Sequence, residues 1–367
     1  MNTENVFHLL AQTRKEYLFM QQTGFQFSIT NLLKETGSQL KEYCRSFGKH
    51  PDSIQLTGLT KQYCEQYNIW LPNAIHHISC ELFLYPHADF DRLLTMMKHL
   101  AIDFYLNDVM GRDLFKSLSL DEQEAADILV YRMAAIDETL ITSADAQPIE
   151  IANRELLGVM KDTSPENWFR QFLSFYCRHI AITHRDSNAA TTGHIPNVGE
   201  YIDTRLHTSG MIFMLLLVEY SDANFLDWDW LQKIGIAKDL SRLHYVTAVF
   251  GALSNDLFSF EKEVIDNAAD ANLLIVLALN NPVLDLQGMI TQAGSIVEGL
   301  LTEYFDLLSN IKKVHPGIHF NDALKADRLK QHIRGVERCL QASWMWQLHT
   351  QRYKREHSIF AETELLK

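Results

Sequence analysis

Asn255-Asp256-Leu257-Phe258-Ser259-Phe260-Glu261-Lys262-Glu263 sets an amide oxygen, a hydroxyl and a carboxylate at positions i, i+4 and i+8. In a helix those three groups share one face, a turn apart. Hard oxygen donors in a row suit Mg²⁺, which prefers oxygen and keeps water positions that a substrate's phosphates can take. A rise of ~1.5 Å per residue puts the outer Cα atoms about 12 Å apart, so one ion sits over the middle. Glu263, whose side chain leans toward the helix N-terminus, reaches back to it. The row reads as half of a metal site for a diphosphate. Its plain alternative is the solvated face of an amphipathic helix. Against that stand the apolar residues upstream (Tyr245, Val246, Val249, Phe250, Leu253) and Lys262, a cation beside the carboxylate.

The bulk numbers agree with a helical protein. Eight prolines and sixteen glycines in 367 residues leave long stretches free of both. With 47% hydrophobic residues the chain can build a sizeable core, and 20 Phe, 13 Tyr and 6 Trp can line an aromatic pocket. A formal charge of −13 argues against nucleic acid as a partner, while a small anion needs only a few local cations. The five cysteines are scattered, without a CxxC pair, which points to a reduced, cytoplasmic protein. No signal peptide and no membrane-spanning run is visible; Met211 to Val218 is apolar but short.

Along the chain, the first 60 residues read as short helices. Phe90, Leu93, Leu94, Met97, Leu100, Ala101 and Phe104 form a stripe of helical period. Helical patterns follow at about 122–141 and 150–161, with Gln147-Pro148 between them. Ser164-Pro165 marks a helix start, with Ser164 as N-cap, and one helix then runs from Trp168 to His184. Residues 186–200 read as a loop. Helix resumes over 200–219, interrupted at Thr208-Ser209-Gly210, and again from Leu240 to about Asp266. Pro282 starts another, and Asp327 to about Arg355 is the last long one. Nothing alternates with strand period, so the fold class is all-α.

A second polar cluster lies in Ile102-Asp103-Phe104-Tyr105-Leu106-Asn107-Asp108-Val109-Met110-Gly111-Arg112-Asp113. Asp103 and Asn107 share a helix face, with Asp108 adjacent. Acids where Gly111 stops a helix oppose its dipole, and a bound cation would account for them. Two further pieces are Arg205 ahead of Thr208-Ser209-Gly210, and Arg352-Tyr353 near the end.

Together these resemble the microbial class I terpene synthases, from about residue 65 to 354. Asn255, Ser259 and Glu263, with Lys262, match that family's second metal motif at its defining positions. Arg205 is similar to its diphosphate-sensing arginine. Ser209 and Gly210 resemble the kinked segment that faces the departing carbon, and Arg352-Tyr353 its C-terminal diphosphate-binding pair. Four motifs in order are far more specific than one. The resemblance implies a single α-helical bundle around a central apolar cavity, spanning 61–357. An N-terminal helical extension (1–60) and a tail (358–367) flank it; the extension caps the bundle or contributes to a homodimer. It also implies three Mg²⁺ ions and ionisation and cyclisation of farnesyl or geranylgeranyl diphosphate to a terpene hydrocarbon or alcohol.

The first metal motif departs from the family pattern. By position its Asp pair falls on Asn107-Asp108, and Gly111 or Arg112 stands where a third acid belongs. Asp108 is the first choice as metal ligand, with Asp103 next. Arg205, Lys262, Arg352 and Tyr353 would neutralise the leaving diphosphate. Phe104, Trp346 and, more weakly, Phe83 are candidates to face the carbocation. A chain-elongating prenyl transferase normally carries two Asp-rich motifs, which Ser259 and Glu263 argue against. A non-catalytic helical binding protein is the remaining alternative, and the joint presence of all four motifs argues against that.

Overall fold

The computed structural model describes residues 3–45, 48–111, 114–314 and 322–365. Among them there is no β-strand; Phe27 with Phe360 and Arg355 with Glu364 form isolated bridges. The first helices are α1 (Thr3–Thr23), α2 (Ile29–Leu32), α3 (Lys34–Tyr43), α4 (Ser53–Gln66), α5 (Ala74–Leu84) and α6 (Phe90–Met110). The middle of the chain gives α7 (Leu120–Ala134), α8 (Pro148–Asp162), α9 (Glu166–Thr183), α10 (Ala189–Thr192), α11 (Val198–Thr208) and α12 (Met211–Ser221). It closes with α13 (Trp228–Lys233), α14 (Ala237–Phe260), α15 (Leu273–Asn280), α16 (Leu286–Val314) and α17 (Ala323–His349).

The stripe read in α6 is buried at Leu93, Met96, Met97 and Leu100. Asp89 caps its start by accepting from the Asp91 and Arg92 amides (3.1 and 3.2 Å). Gly111 ends it because a Cβ there would lie 2.3 Å from the Asn107 carbonyl oxygen. α14 is the central element, packed on α16, α17, α12 and α11, while α5 bridges α17 and α6. One apolar cluster runs from Val6 to Phe360, so both ends of the chain join the core. No helix among the described residues is long and apolar enough to cross a membrane.

Several boundaries differ from the sequence reading. Pro165 itself takes the N-cap position and the helix begins at Glu166. Pro282 precedes the start of α16 by four residues. The first 60 residues hold the 21-residue α1 as well as the shorter α2, α3 and the start of α4. Helix α15 had no signature, because Leu273 to Leu279 are all buried and no polar face sets a period. Short α10 lies within the stretch read as loop.

Candidate active site

From Val246 to Glu261 every residue is buried except Asn255. Helix α14 therefore has no solvated face there, which removes the plain alternative for its polar row. Asn255 Oδ1 accepts from Arg205 Nη2 (2.8 Å), and its Nδ2 donates to the Tyr353 hydroxyl (2.8 Å) and to Gln347 Oε1 (3.1 Å). Three separated pieces of sequence thus meet on one amide. Ser259 is fully buried and its Oγ has no hydrogen-bond partner. Glu263 lies beyond the end of α14, in a π-helical turn, Glu261–Asp266, where the sequence reading continued the α-helix. Asn272 Nδ2 donates to its carboxylate at 3.4 Å. All donors in the row are hard oxygens, and one is an orphan inside the protein, so the set fits a hard divalent cation.

Arg205 is buried and anchored from below. Its Nε donates to Asp256 Oδ1 (2.8 Å), whose other oxygen accepts from the Tyr201 hydroxyl (2.5 Å) and the Leu273 amide (3.0 Å). Burial works against the guanidinium charge, but Asp256 outweighs it and the group stays cationic. The sequence reading gave Asp256 no role; its place beside Asn255 was the available signal. The break at Thr208-Ser209-Gly210 separates α11 from α12. Gly210 sits there at φ 73°, where a Cβ would lie 3.0 Å from the Phe213 ring. Ser209 caps α11 and accepts the Met211 amide on its Oγ (3.3 Å).

Across the cavity, Asp103 and Asn107 line the wall from α6. Asp108 points elsewhere, because one residue turns a helix by about 100°. It accepts from His77 Nε2 (2.9 Å), Arg352 Nη2 (3.3 Å) and Asn107 Nδ2 (2.8 Å). Burial opposes its charge, yet His77 and Arg352 hold the carboxyl well below the usual range. The cation expected at this helix end is thus the Arg352 guanidinium. His77, unnoticed in the sequence, stacks on Phe104 (centroids 4.5 Å apart), and Arg352 lies 5.8 Å over the same ring. Arg112 and Asp113 lie outside the described residues.

Asp103 receives two histidines that the sequence reading also missed: His179 Nε2 at 2.7 Å and His184 Nε2 at 3.1 Å. His179 Nδ1 lies 2.8 Å from the His207 carbonyl and 3.0 Å from the Thr183 hydroxyl. Burial alone would lower its pKa, and Asp103 raises it. The three ligand atoms lie within 4.8 Å of one another, a spacing compatible with a metal ion as well as with hydrogen bonds.

Some of these groups line a cavity of ≈ 200 Å³, while Ser259, Asp108 and Asp256 lie behind its wall. Its polar part carries Asn107, Arg205, Asn255, Glu263, Arg352 and Tyr353; its apolar part carries Leu100, Phe104, Phe213, Met214 and Trp346. Trp346 is fixed by an Nε1 bond to the His76 carbonyl (3.2 Å) and an edge contact with Tyr353. Phe83 does not line it: on α5 Cys80 and Leu84 face the cavity, and Phe83 sits a residue away around the helix. Lys262 is half-buried within the turn, close enough for its charge to act on His77.

Residues 101–303 match the family model described as terpene synthase family 2, C-terminal metal binding. Among curated relatives, the sesquiterpene cyclase hepA of Aspergillus oryzae is 28% identical over 180 residues, 48% of this chain and 45% of that protein. Terpene synthase 1 of Dictyostelium purpureum is 23% identical over 86% of this chain and 84% of its own. The linalool/nerolidol synthase of Streptomyces clavuligerus, solved with 2-fluorogeranyl diphosphate, superposes with a TM-score of 0.67 at 14% identity, covering 84% and 97%. At that identity the likeness speaks for the all-α fold.

Proposed function

The chain belongs to the terpene synthase family, and on that premise we propose that it ionises a linear isoprenyl diphosphate at the polar part of this cavity and cyclises the allylic cation in the apolar part. The product is a terpene hydrocarbon or alcohol, released with diphosphate. Farnesyl diphosphate is the first substrate to test, since one relative is called a sesquiterpene cyclase; geranylgeranyl diphosphate is the second. The observation that carries the reading is that Asn255 and Glu263 share one cavity with Asn107, Arg205, Arg352, Tyr353, Phe104 and Trp346.

Asn255, Ser259 and Glu263 would hold one Mg²⁺, and Asn107 with Asp108 or Asp103 would serve the other two of three; each carboxylate is held by protein partners here, Asp108 by His77 and Arg352 and Asp103 by two histidines. Bound Mg²⁺ neutralises charge on the leaving diphosphate. Arg205, Arg352 and the Tyr353 hydroxyl orient that group and take up the charge that develops on it. The helix break at Ser209 and Gly210 faces the reacting end, while Phe104 and Trp346 offer ring faces to the cation at roughly 0.5–2 kcal/mol each. Exclusion of water by the apolar part of the cavity would protect the cation until it is quenched. Five free thiols support a reducing, cytoplasmic setting.

Incubation with geranyl, farnesyl or geranylgeranyl diphosphate and Mg²⁺, followed by gas chromatography–mass spectrometry, tests the proposal. A cyclic hydrocarbon or alcohol that vanishes with chelator supports it. Longer diphosphates, or turnover indifferent to chelator, would refute it.

A further inference from the structure

The turn Glu261–Asp266, which carries Lys262 and Glu263, departs from the α-helical register. Such turns are rare and need outside support. Here both ends of the chain supply it. At its start the buried Glu261 carboxylate accepts from Ser358 Oγ (2.6 Å) and the Ile359 amide (3.0 Å), and Tyr17 of α1 hydrogen-bonds to it as well. At its end Arg355 pairs with Asp266, and Arg14 Nη1 of α1 donates to the Ile265 carbonyl (3.2 Å).

Residues 355–359 follow Arg352-Tyr353 after the single residue Lys354. One short tail therefore links two cavity-lining groups to the turn that aims a third. The N-terminal segment holds that tail in turn: the Phe27 amide donates to the Ile359 carbonyl (2.8 Å), and the Ala361 amide to that of Phe27 (2.8 Å). Glu362 completes the lock by accepting from the Ile29 and Thr30 amides (2.8 and 2.9 Å).

We propose that Glu261 is a positioning residue for metal binding, and that the two chain ends form a brace around it that aims Glu263 at the ion shared with Asn255 and Ser259. The inference rests on the reading of Glu263 as a metal ligand. A π turn winds through a smaller angle per residue than an α-helix, so the register held here sets the direction in which Glu263 projects relative to Ser259 and Asn255. The nearest side chain of the brace reaches the metal only through backbone, so its effect belongs to metal affinity and not to the chemistry.

The test is a Mg²⁺ titration of the full-length protein in the presence of inorganic diphosphate, read by thermal shift and, in parallel, by turnover. Glu261→Gln keeps an oxygen for the Ile359 amide and removes the charge. Outer-shell changes of this kind cost roughly 10-fold or more in metal affinity. The half-saturating Mg²⁺ is expected to rise by about that factor in both readouts, with kcat at saturating Mg²⁺ within roughly 3-fold of the parent. Ser358→Ala, which leaves the Ile359 contact in place, moves it the same way by less, and carries the test if Glu261→Gln does not fold. A lowered Tm with unchanged half-saturation in these variants would overturn the brace. Glu263→Gln is the control: if it leaves half-saturation unchanged, the metal reading of Glu263 has failed instead.

Discussion

Replacing Ser259 with alanine should push stability and metal binding in opposite directions. The hydroxyl is fully buried and makes no hydrogen bond, so without metal it contributes an unsatisfied polar group. Such a group costs about 1–3 kcal/mol, and alanine removes it at the price of a very small void. With unfolding entropy near ~2.1 cal/mol/K per residue, that gain raises the Tm of a chain this size by roughly 1–4 °C. With Mg²⁺ and inorganic diphosphate the sign reverses, because one of three oxygen donors on that face is gone. The variant should show a smaller ligand-induced shift and a higher half-saturating Mg²⁺. Differential scanning fluorimetry with chelator, with Mg²⁺ alone, and with Mg²⁺ plus diphosphate measures all three states. A metal-free protein that is less stable, combined with an unaltered Mg²⁺ response, would show that Ser259 packs the core and ligates nothing.

Gly210→Ala forces a side chain to φ 73° and within 3.0 Å of Phe213; a loss of about 1–3 kcal/mol is expected, with diphosphate release falling at least as steeply as Tm, checked by melts and a phosphate-coupled assay. Phe104→Leu removes the ring beneath Arg352 and His77 while keeping the wall apolar, so product distribution should change and the Mg²⁺ half-saturation should not, as chromatography and a metal titration will show. Glu219 is a test of fold stability alone. Burial pushes its pKa up to about 7, so folded protein retains a proton that the unfolded chain releases from about pH 4.5 upward. Stability from this group is full below pH 4.5 and is lost as pH rises toward 7, by about 3 kcal/mol at most. Glu219→Gln keeps an acceptor for the Leu226 amide and should melt roughly 2–4 °C higher than the parent above pH 7 but not near pH 5; a pH-independent difference would refute the assignment.

What the sequence made legible is what repeats locally. The α6 stripe, the break before Met211 and the polar row of α14 are patterns within a few turns, and their spacing has one helical reading. Contacts between distant segments had no such signature. Asp103 meets His179 and His184 across 76 and 81 positions, and Arg352 meets His77 across 275. A histidine on an apolar helix looks the same in sequence whether it packs or holds a carboxylate. The π turn at Glu263 is set by Ser358 and Ile359, nearly a hundred residues on, so α-helical periodicity ran past it. Phe83 was chosen as an aromatic near the cavity, and one residue of helical rotation decides that matter.

The two arginines explain how the carboxylates beside the cavity are accommodated without bound cations. Arg352 offsets Asp108 behind one wall and Arg205 offsets Asp256 behind the other, each largely out of water, where an unpaired carboxylate would be costly. Both arginines also touch groups that the proposed chemistry needs for metal: Asp108 itself, and Asn255 through its Oδ1. An ion arriving alone must compete with a guanidinium for its oxygen and leaves that guanidinium short of a partner. A diphosphate arriving alone gives the arginines an anion but strands the carboxylates. Arriving together, the ions take the oxygens and the diphosphate takes the arginines, so every displaced charge finds a new partner. The pairing seen in the structure therefore favours joint loading over either ligand singly, and it does so with residues from three helices and the C-terminal segment that no local stretch of sequence contains.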